Sequence, residues 1–259
     1  KRLFRNPMKS DWFNLERELD KWGQAGNQAF FWWRDDDLEA PGPNFERLLE
    51  LRRDVPLSLA VIPKMAKPQI TKSIGACKEI DIIQHGFAHK NYETASSKRS
   101  EFGINRTCTQ VHRDLSIGKE ILSDIFGKQF LSILAPPWNR IAMIHSRCLV
   151  DLGFHAISGF GKQELSCLQN INTHIDLISW KKNRAFAGAR IILENTVRTL
   201  KIKRMNAEYS SPTGLLTHHK QMDEDGWKFT DQFLRTLQSN PHVTFKGIRE
   251  IMRLSPQNG

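Results

Sequence analysis

A chain of 259 residues with 39% hydrophobic and 25% charged side chains is long enough to bury a substantial core. Seven Trp and fifteen Phe exclude intrinsic disorder, which requires a shortage of apolar surface, and no apolar run approaches the ~20 residues of a membrane-spanning helix. The net charge of +10 favours polyanionic partners and is silent on fold.

The opening segment, Lys1–Trp12, is basic and polar, without the apolar stretch of a secretory leader. This suggests a cytoplasmic protein, although a first residue that is Lys and not Met leaves export open. Trp12, Leu15, Leu19 and Trp22 recur at helical spacing and predict an amphipathic helix over about 10–23. Short runs, apolar on both faces, then follow at Phe30–Trp33, Leu57–Ile62, Asp81–Gln84, Phe130–Leu134, Phe154–Ser158, Ile175–Trp180 and Gly214–Thr217. They read as strands buried on both sides of a parallel sheet. Helical patterns fall at Asn44–Arg53, with Asn44 as cap, and at Gln110–Phe126, Ile141–Leu152, Asp225–Gln238 and Lys246–Leu254. In the basic stretch Lys181–Arg204, Arg190–Leu193 and Val197–Ile202 suggest a strand pair. No repeat or linker interrupts the chain, so 1–259 reads as one domain. Seven strands alternating with helices predict an α/β fold, either an open doubly wound sheet or a barrel.

Cys77, Cys108, Cys148 and Cys167 form no CxxC pair, which disfavours a zinc knuckle or redox dithiol and suits buried thiols in a reducing compartment. The basic stretch reads as a solvated face, and no nucleic-acid-binding motif accompanies it.

The reactive residue types cluster at strand ends, where α/β folds build their sites. Asp35, Asp36 and Asp37 follow the first strand, His85 and His89 the third, Pro136-Pro137-Trp138 the fourth, and His218-His219 the last. Taken alone, each has a bland reading: solvated acids, a chance HxxxH, a capping histidine. Together, one carboxylate and two His form a metal triad with open positions for water and substrate. A second carboxylate could take a proton from metal-bound water, and a histidine opposite could protonate a leaving amine.

In this motif order the chain resembles the polysaccharide deacetylases, the NodB-type carbohydrate esterases, from about Phe30 to His219. Their paired aspartates match Asp36-Asp37, their His-x-x-x-His matches His85–His89, and their final Leu-x-His matches Leu216-Thr217-His218. Two further motifs match in part, at Ala135-Pro136-Pro137-Trp138 and at Asp176–Trp180. The resemblance implies a distorted (β/α) barrel of about seven parallel strands holding one divalent metal ion, usually zinc. It implies Asp37, His85 and His89 as ligands, Asp36 as base and His218 as acid. The backbone N–H near Pro137 and Trp138 would bind the oxyanion, and Asp35, Arg34, Asp176 and Trp180 would support the site. The implied substrate is an N-acylated, above all N-acetylated, sugar or glycan.

Two departures stand out. Ala135 replaces the arginine that in the family contacts the base, with Arg34 or Arg140 as candidate substitutes, and the three-aspartate run leaves Asp35-Asp36 as an alternative pair. A catalytically weak or inactive sugar-binding protein and a basic binding protein are the competing readings. A nonhaem iron oxygenase shares the triad but suits His218 and the extra aspartates less well. No P-loop, GxSxG or GxGxxG is present. Trp32, Trp33, Phe87, Trp138 and Trp180 could stack on sugar rings, although core packing is the better reading for Trp32 and at least one other. The basic stretch could approach an anionic or lipid-linked glycan.

Overall fold

A computed structural model describes residues 9–75, 77–162 and 165–254; the basic segment 1–8 lies outside them. Helix α1 (Lys9–Gln24) buries Leu15, Leu19 and Trp22, as its periodicity predicts. It also buries Glu18, which accepts a hydrogen bond from Arg204 Nε at 2.7 Å.

Arg204 belongs to α6 (Ala189–Met205), where the sequence suggested a strand pair. Its buried residues Ile192, Thr196, Leu200 and Lys203 recur every three to four positions, which is a helical stripe. The β-branched Ile, Val and Thr residues imitated strands, but tertiary packing overrode that preference. Lys203 Nζ donates to the carbonyls of Ser211 (3.2 Å) and Pro212 (2.7 Å), and burial lowers its pKa to about 8.

The strands are β1 (Ala29–Leu38), β2 (Leu57–Val61), β3 (Ile80–His85), β4 (Phe130–Ala135), β5 (Ala156–Ile157), β6 (Gln169–Asn170), β7 (Ile175–Asp176), β8 (Thr213–Thr217) and β9 (Val243–Phe245). They pair in parallel in the order β6-β5-β4-β3-β2-β1-β8-β7, with β9 beside the start of β1. All seven expected runs contain strands, although β5 and β7 shrink to two residues. β6 is polar and β9 is three residues long, so neither left a periodic signal. The sheet curls into a distorted (β/α) barrel of the NodB type. Its edges, β6 and β7, are joined by residues 171–174. Thr173 bonds Gly159 and Gly161 on one side, and His174 N donates to Gly214 O at 2.7 Å on the other.

The remaining helices are α2 (Pro43–Arg52), α3 (Ile70–Ile74), α4 (Cys108–Phe126), α5 (Ser146–Asp151), α7 (Glu224–Ser239) and α8 (Ile248–Leu254). α2 starts on Pro43, and Asn44 does not cap it; Asn44 Nδ2 donates to His219 O instead. α4 starts two residues before Gln110, because Thr107 and Gln110 form a capping box. α5 covers only the second half of Ile141–Leu152, since residues 143–145 form a tighter turn ahead of it.

Side chains alternate across each strand. Phe31, Trp33, Leu59 and Ile82 pack outward against the helices in the main core. Trp32, Ala60, Ile83, Ile133, Ala135 and Ala156 point into the barrel and meet Ile248 and Ile251 of α8, forming a second core.

Candidate active site

β1 carries most of the site. Arg34 and Asp36 share the inward face of Trp32, whereas Asp35 points outward. There Asp35 accepts hydrogen bonds from Thr217 Oγ1 (2.6 Å) and His219 N (3.0 Å), with His219 Nδ1 against its other oxygen. Trp33 Nε1 donates to the same Thr217 hydroxyl at 2.9 Å. Asp35 therefore ties β1 to β8 and does not join the cluster, so the pair facing the interior is Asp36 and Asp37. Strict alternation would turn Asp37 outward as well. The β1–β2 register shifts between Asp35 and Leu38, and Asp37 has φ 68°, so this irregularity swings its carboxylate to the side of Asp36.

Asp37 Oδ1 lies 3.1 Å from His85 Nε2 and 3.3 Å from His89 Nε2, and the three ligand atoms fall within 4.8 Å of one another. His85 Nδ1 donates to Ala135 O at 2.9 Å, which fixes the tautomer and leaves Nε2 as a lone-pair donor. The Trp138 ring packs on His89 with centroids 4.5 Å apart. Without a cation, burial opposes ionisation of Asp37, but the hydrogen bond and charge of His85, with His218 and His89, hold its carboxyl below the ordinary value. For His85, burial disfavours the imidazolium, but the charges of Asp36 and Asp37 outweigh it and raise its pKa. Burial, reinforced by His85, lowers that of His89.

Asp36 is buried beside Arg34, itself fully buried. Arg34 Nη2 donates to Asp36 Oδ2 at 3.0 Å, and Nε lies 2.8 Å from Oδ1 at an angle too bent for a hydrogen bond. Oδ1 is therefore held by the charge of Arg34 and not by a hydrogen bond from it. The other Arg34 donors reach Ser158 O and Oγ (both 2.6 Å) and Asn139 Oδ1 (2.9 Å). Arg140 points away, its Nη1 donating to Arg99 O. Of the two candidate substitutes for the arginine missing at Ala135, Arg34 makes the contact. Because Arg34 neutralises Asp36, the donor set next to it keeps one uncompensated carboxylate, which suits a divalent cation.

His218, beyond β8, closes the opposite side. Its Nε2 is 3.9 Å from Asp36 Oδ2 and its Nδ1 is 4.0 Å from Asp176 Oδ1. Nδ1 is buried without a hydrogen-bond partner. Trp180 Nε1 donates to Asp176 Oδ2 at 2.7 Å, and the Trp180 ring meets His218 edge-on at 4.6 Å. Burial raises the pKa of Asp176.

Sequence reasoning missed Glu101. This buried carboxylate accepts from Phe87 N (3.1 Å) and Ala88 N (2.7 Å), bracing the turn between His85 and His89, and burial raises its pKa. Gly86 makes that brace fit. Its φ is 60°, and a Cβ there would collide with Glu101 Oε2 and the Pro137 ring. Of the aromatics, Trp32 and Trp33 are buried in the two cores, whereas Trp180 is exposed and Trp138 and Phe87 are half-buried at the mouth.

No protein-family model and no curated protein matches the sequence. Similar solved structures share the architecture at low identity. A family 4 carbohydrate esterase from Streptomyces lividans, in complex with acetate, has 13% identity and a TM-score of 0.54, covering 90% of this chain and 96% of that one. A family 4 acetyl xylan esterase from Clostridium thermocellum, with a cobalt ion, has 14% identity and a TM-score of 0.55, covering 87% and 91%. A peptidoglycan deacetylase from Bacillus subtilis has 12% identity and a TM-score of 0.52, covering 88% and 91%. These likenesses define the class of fold: the NodB-type barrel of carbohydrate deacetylases.

Proposed function

We propose that this chain is one catalytic domain of the polysaccharide deacetylase type, a metal-dependent hydrolase removing an N-acetyl group from an amino sugar or glycan. The observation that carries this reading is the convergence, at one barrel mouth, of Asp37, His85 and His89 with Arg34-clamped Asp36 and His218. The donor set of one carboxylate and two imidazoles, with its three ligand atoms within 4.8 Å of one another, fits a divalent ion, zinc foremost. Bound there, the ion supplies Lewis acidity that acidifies water and polarises the acyl carbonyl.

The chain's own residues do the rest. Asp36 takes the proton from the attacking water, and the Arg34 fork keeps its carboxylate aimed at the mouth. His218 gives a proton to the departing nitrogen while Asp176 and Trp180 hold the imidazole in place. A backbone N–H near Pro137 and Trp138 receives the developing oxyanion. The C–N amide bond breaks, and the products are a free amine and acetate. Trp138 and Trp180 flank the entry and offer rings to a sugar. Lys181, Lys182 and Arg184, exposed beside Trp180, suit an anionic or lipid-linked glycan, whose binding would weaken with salt. The comparison proteins, an acetyl xylan esterase and a peptidoglycan deacetylase, support acetyl transfer from carbohydrate to water. Arg34 standing in for the residue missing at Ala135 favours an active enzyme over an inactive sugar-binding relative.

The test is acetate release from N-acetylglucosamine oligomers. Release that stops with chelator and returns with zinc supports the proposal. Metal-replete protein that releases no acetate from N-acetylated glycans overturns it.

A further inference from the structure

Outside the barrel mouth, His145 and Cys148, one helical turn apart at the start of α5, meet Cys108 from the first turn of α4. Their Sγ and ring-nitrogen atoms all lie within 4.8 Å of one another. We propose that Cys108 Sγ, Cys148 Sγ and His145 Nδ1 bind a second metal ion, a thiophilic divalent cation of the zinc class, that staples together the loops following β3 and β4.

The geometry matches the cation's demands. Tetrahedral zinc, with sulfur at ~2.3 Å and nitrogen at ~2.0–2.1 Å, places the two donors about 3.6 Å apart. Cys108 Sγ and His145 Nδ1 are 3.7 Å apart. His145 is fully buried, and its Nε2 donates to Gly103 O at 2.9 Å, so Nδ1 is left as a lone-pair donor aimed at the thiols. Cys108 Sγ also reaches Ile144 O at 3.3 Å, and Cys148 Sγ reaches Cys108 O at 3.6 Å. Each thiol proton is lost when the thiolate binds metal. Cys108 is exposed, which gives the ion an entry path and leaves a fourth position for water.

The loop ending at Cys108 contains Glu101, which braces the turn between His85 and His89, and the loop ending at His145 contains Trp138, which packs on His89. The two loops already touch, since Ala142 N donates to Phe102 O at 2.8 Å. A cation at their ends would fix both walls of the mouth without contacting substrate.

Cobalt(II) loading of the reduced, metal-free full chain separates this site from the first. Only a thiolate site gives a sulfur-to-cobalt charge-transfer band, and Asp37, His85 and His89 contain no sulfur. The band is expected in wild type, in His85→Ala and in Cys77→Ser, falls to half or less in Cys108→Ser and in Cys148→Ser, and is lost when both are replaced. In the unmodified chain, zinc at tenfold excess over its Kd slows alkylation of Cys108 about tenfold. No band in wild type, a band surviving both serine substitutions, or alkylation indifferent to zinc overturns the proposal. So does a Cys108–Cys148 disulfide that forms in the presence of zinc.

Discussion

Replacing Arg34 by Met removes one partner of an ion pair sealed from solvent. Asp36 would keep a buried carboxylate with no counter-charge, and Ser158 and Asn139 would lose their shared donor. Breaking such a pair costs about 3–5 kcal/mol, much more than a surface pair. In a chain of this length each kcal/mol moves Tm by roughly 2–4 °C, so a drop of about 10 °C follows. Asp36→Asn in the same background removes the stranded charge and recovers about 2–3 kcal/mol, a coupling that a double-mutant cycle by denaturant unfolding reads directly. Turnover of Arg34→Met falls about 100-fold, because an unclamped base loses its aim. A cost below about 1 kcal/mol, or strictly additive substitutions, would refute the assignment of Arg34 as the residue that holds Asp36.

Three further outcomes follow from neighbouring geometry. Glu101→Gln puts an amide donor against Phe87 N or Ala88 N and weakens metal affinity at Asp37, His85 and His89 about 10–100-fold by chelator competition; unchanged affinity contradicts the brace. Gly86→Ala forces a Cβ into Glu101 and Pro137 at a positive φ and costs about 2 kcal/mol or more in unfolding experiments, where a neutral result would show that the turn relaxes freely. His174, lowered to about 3 by burial and then by the charge of Lys203, accepts a hydrogen bond from Gly214 N and stays neutral in the fold. Between pH 6.5 and about 3 the unfolded chain binds a proton that the folded chain refuses, so stability falls as pH falls through that window. His174→Asn flattens that part of the acid-unfolding profile, and an unchanged slope would contradict it.

Much of the site was legible because its residues sit at the ends of apolar runs, where a parallel sheet presents them together. His85, His89 and His218 needed only the strand and its end to be found. The Asp35–Asp37 run was ambiguous for a physical reason: alternation places Asp35 outside, and only a backbone irregularity, invisible in residue types, brings Asp37 back beside Asp36. Arg34 was one of two candidates that the sequence offered, with Arg140, and strand alternation is what separates them. Two positions before Asp36 on the same strand face, Arg34 does from β1 what a residue at position 135 of β4 would otherwise do. Glu101 left no signal, because its role depends on backbone amides in a loop that periodicity does not describe. The same holds for Cys108, His145 and Cys148. His145 and Cys148 lie within one turn, but a lone His-x-x-Cys says little without a third donor, and Cys108 comes from the start of a different helix. Three of the four cysteines are also less buried than expected; only Cys148 is buried. The strand reading of α6 failed where β-branched composition was weighed above the spacing of Ile192, Thr196 and Leu200.

The most direct test of the central claim measures metal content and acetate release together in two variants of adjacent residues. Asp36→Asn should retain the metal complement of wild type and lose turnover, because Asp36 accepts a proton and does not ligate. Asp37→Ala should lose one equivalent of metal and turnover with it. Loss of metal from Asp36→Asn with retention in Asp37→Ala would contradict the account and place the working carboxylates one residue earlier in the chain.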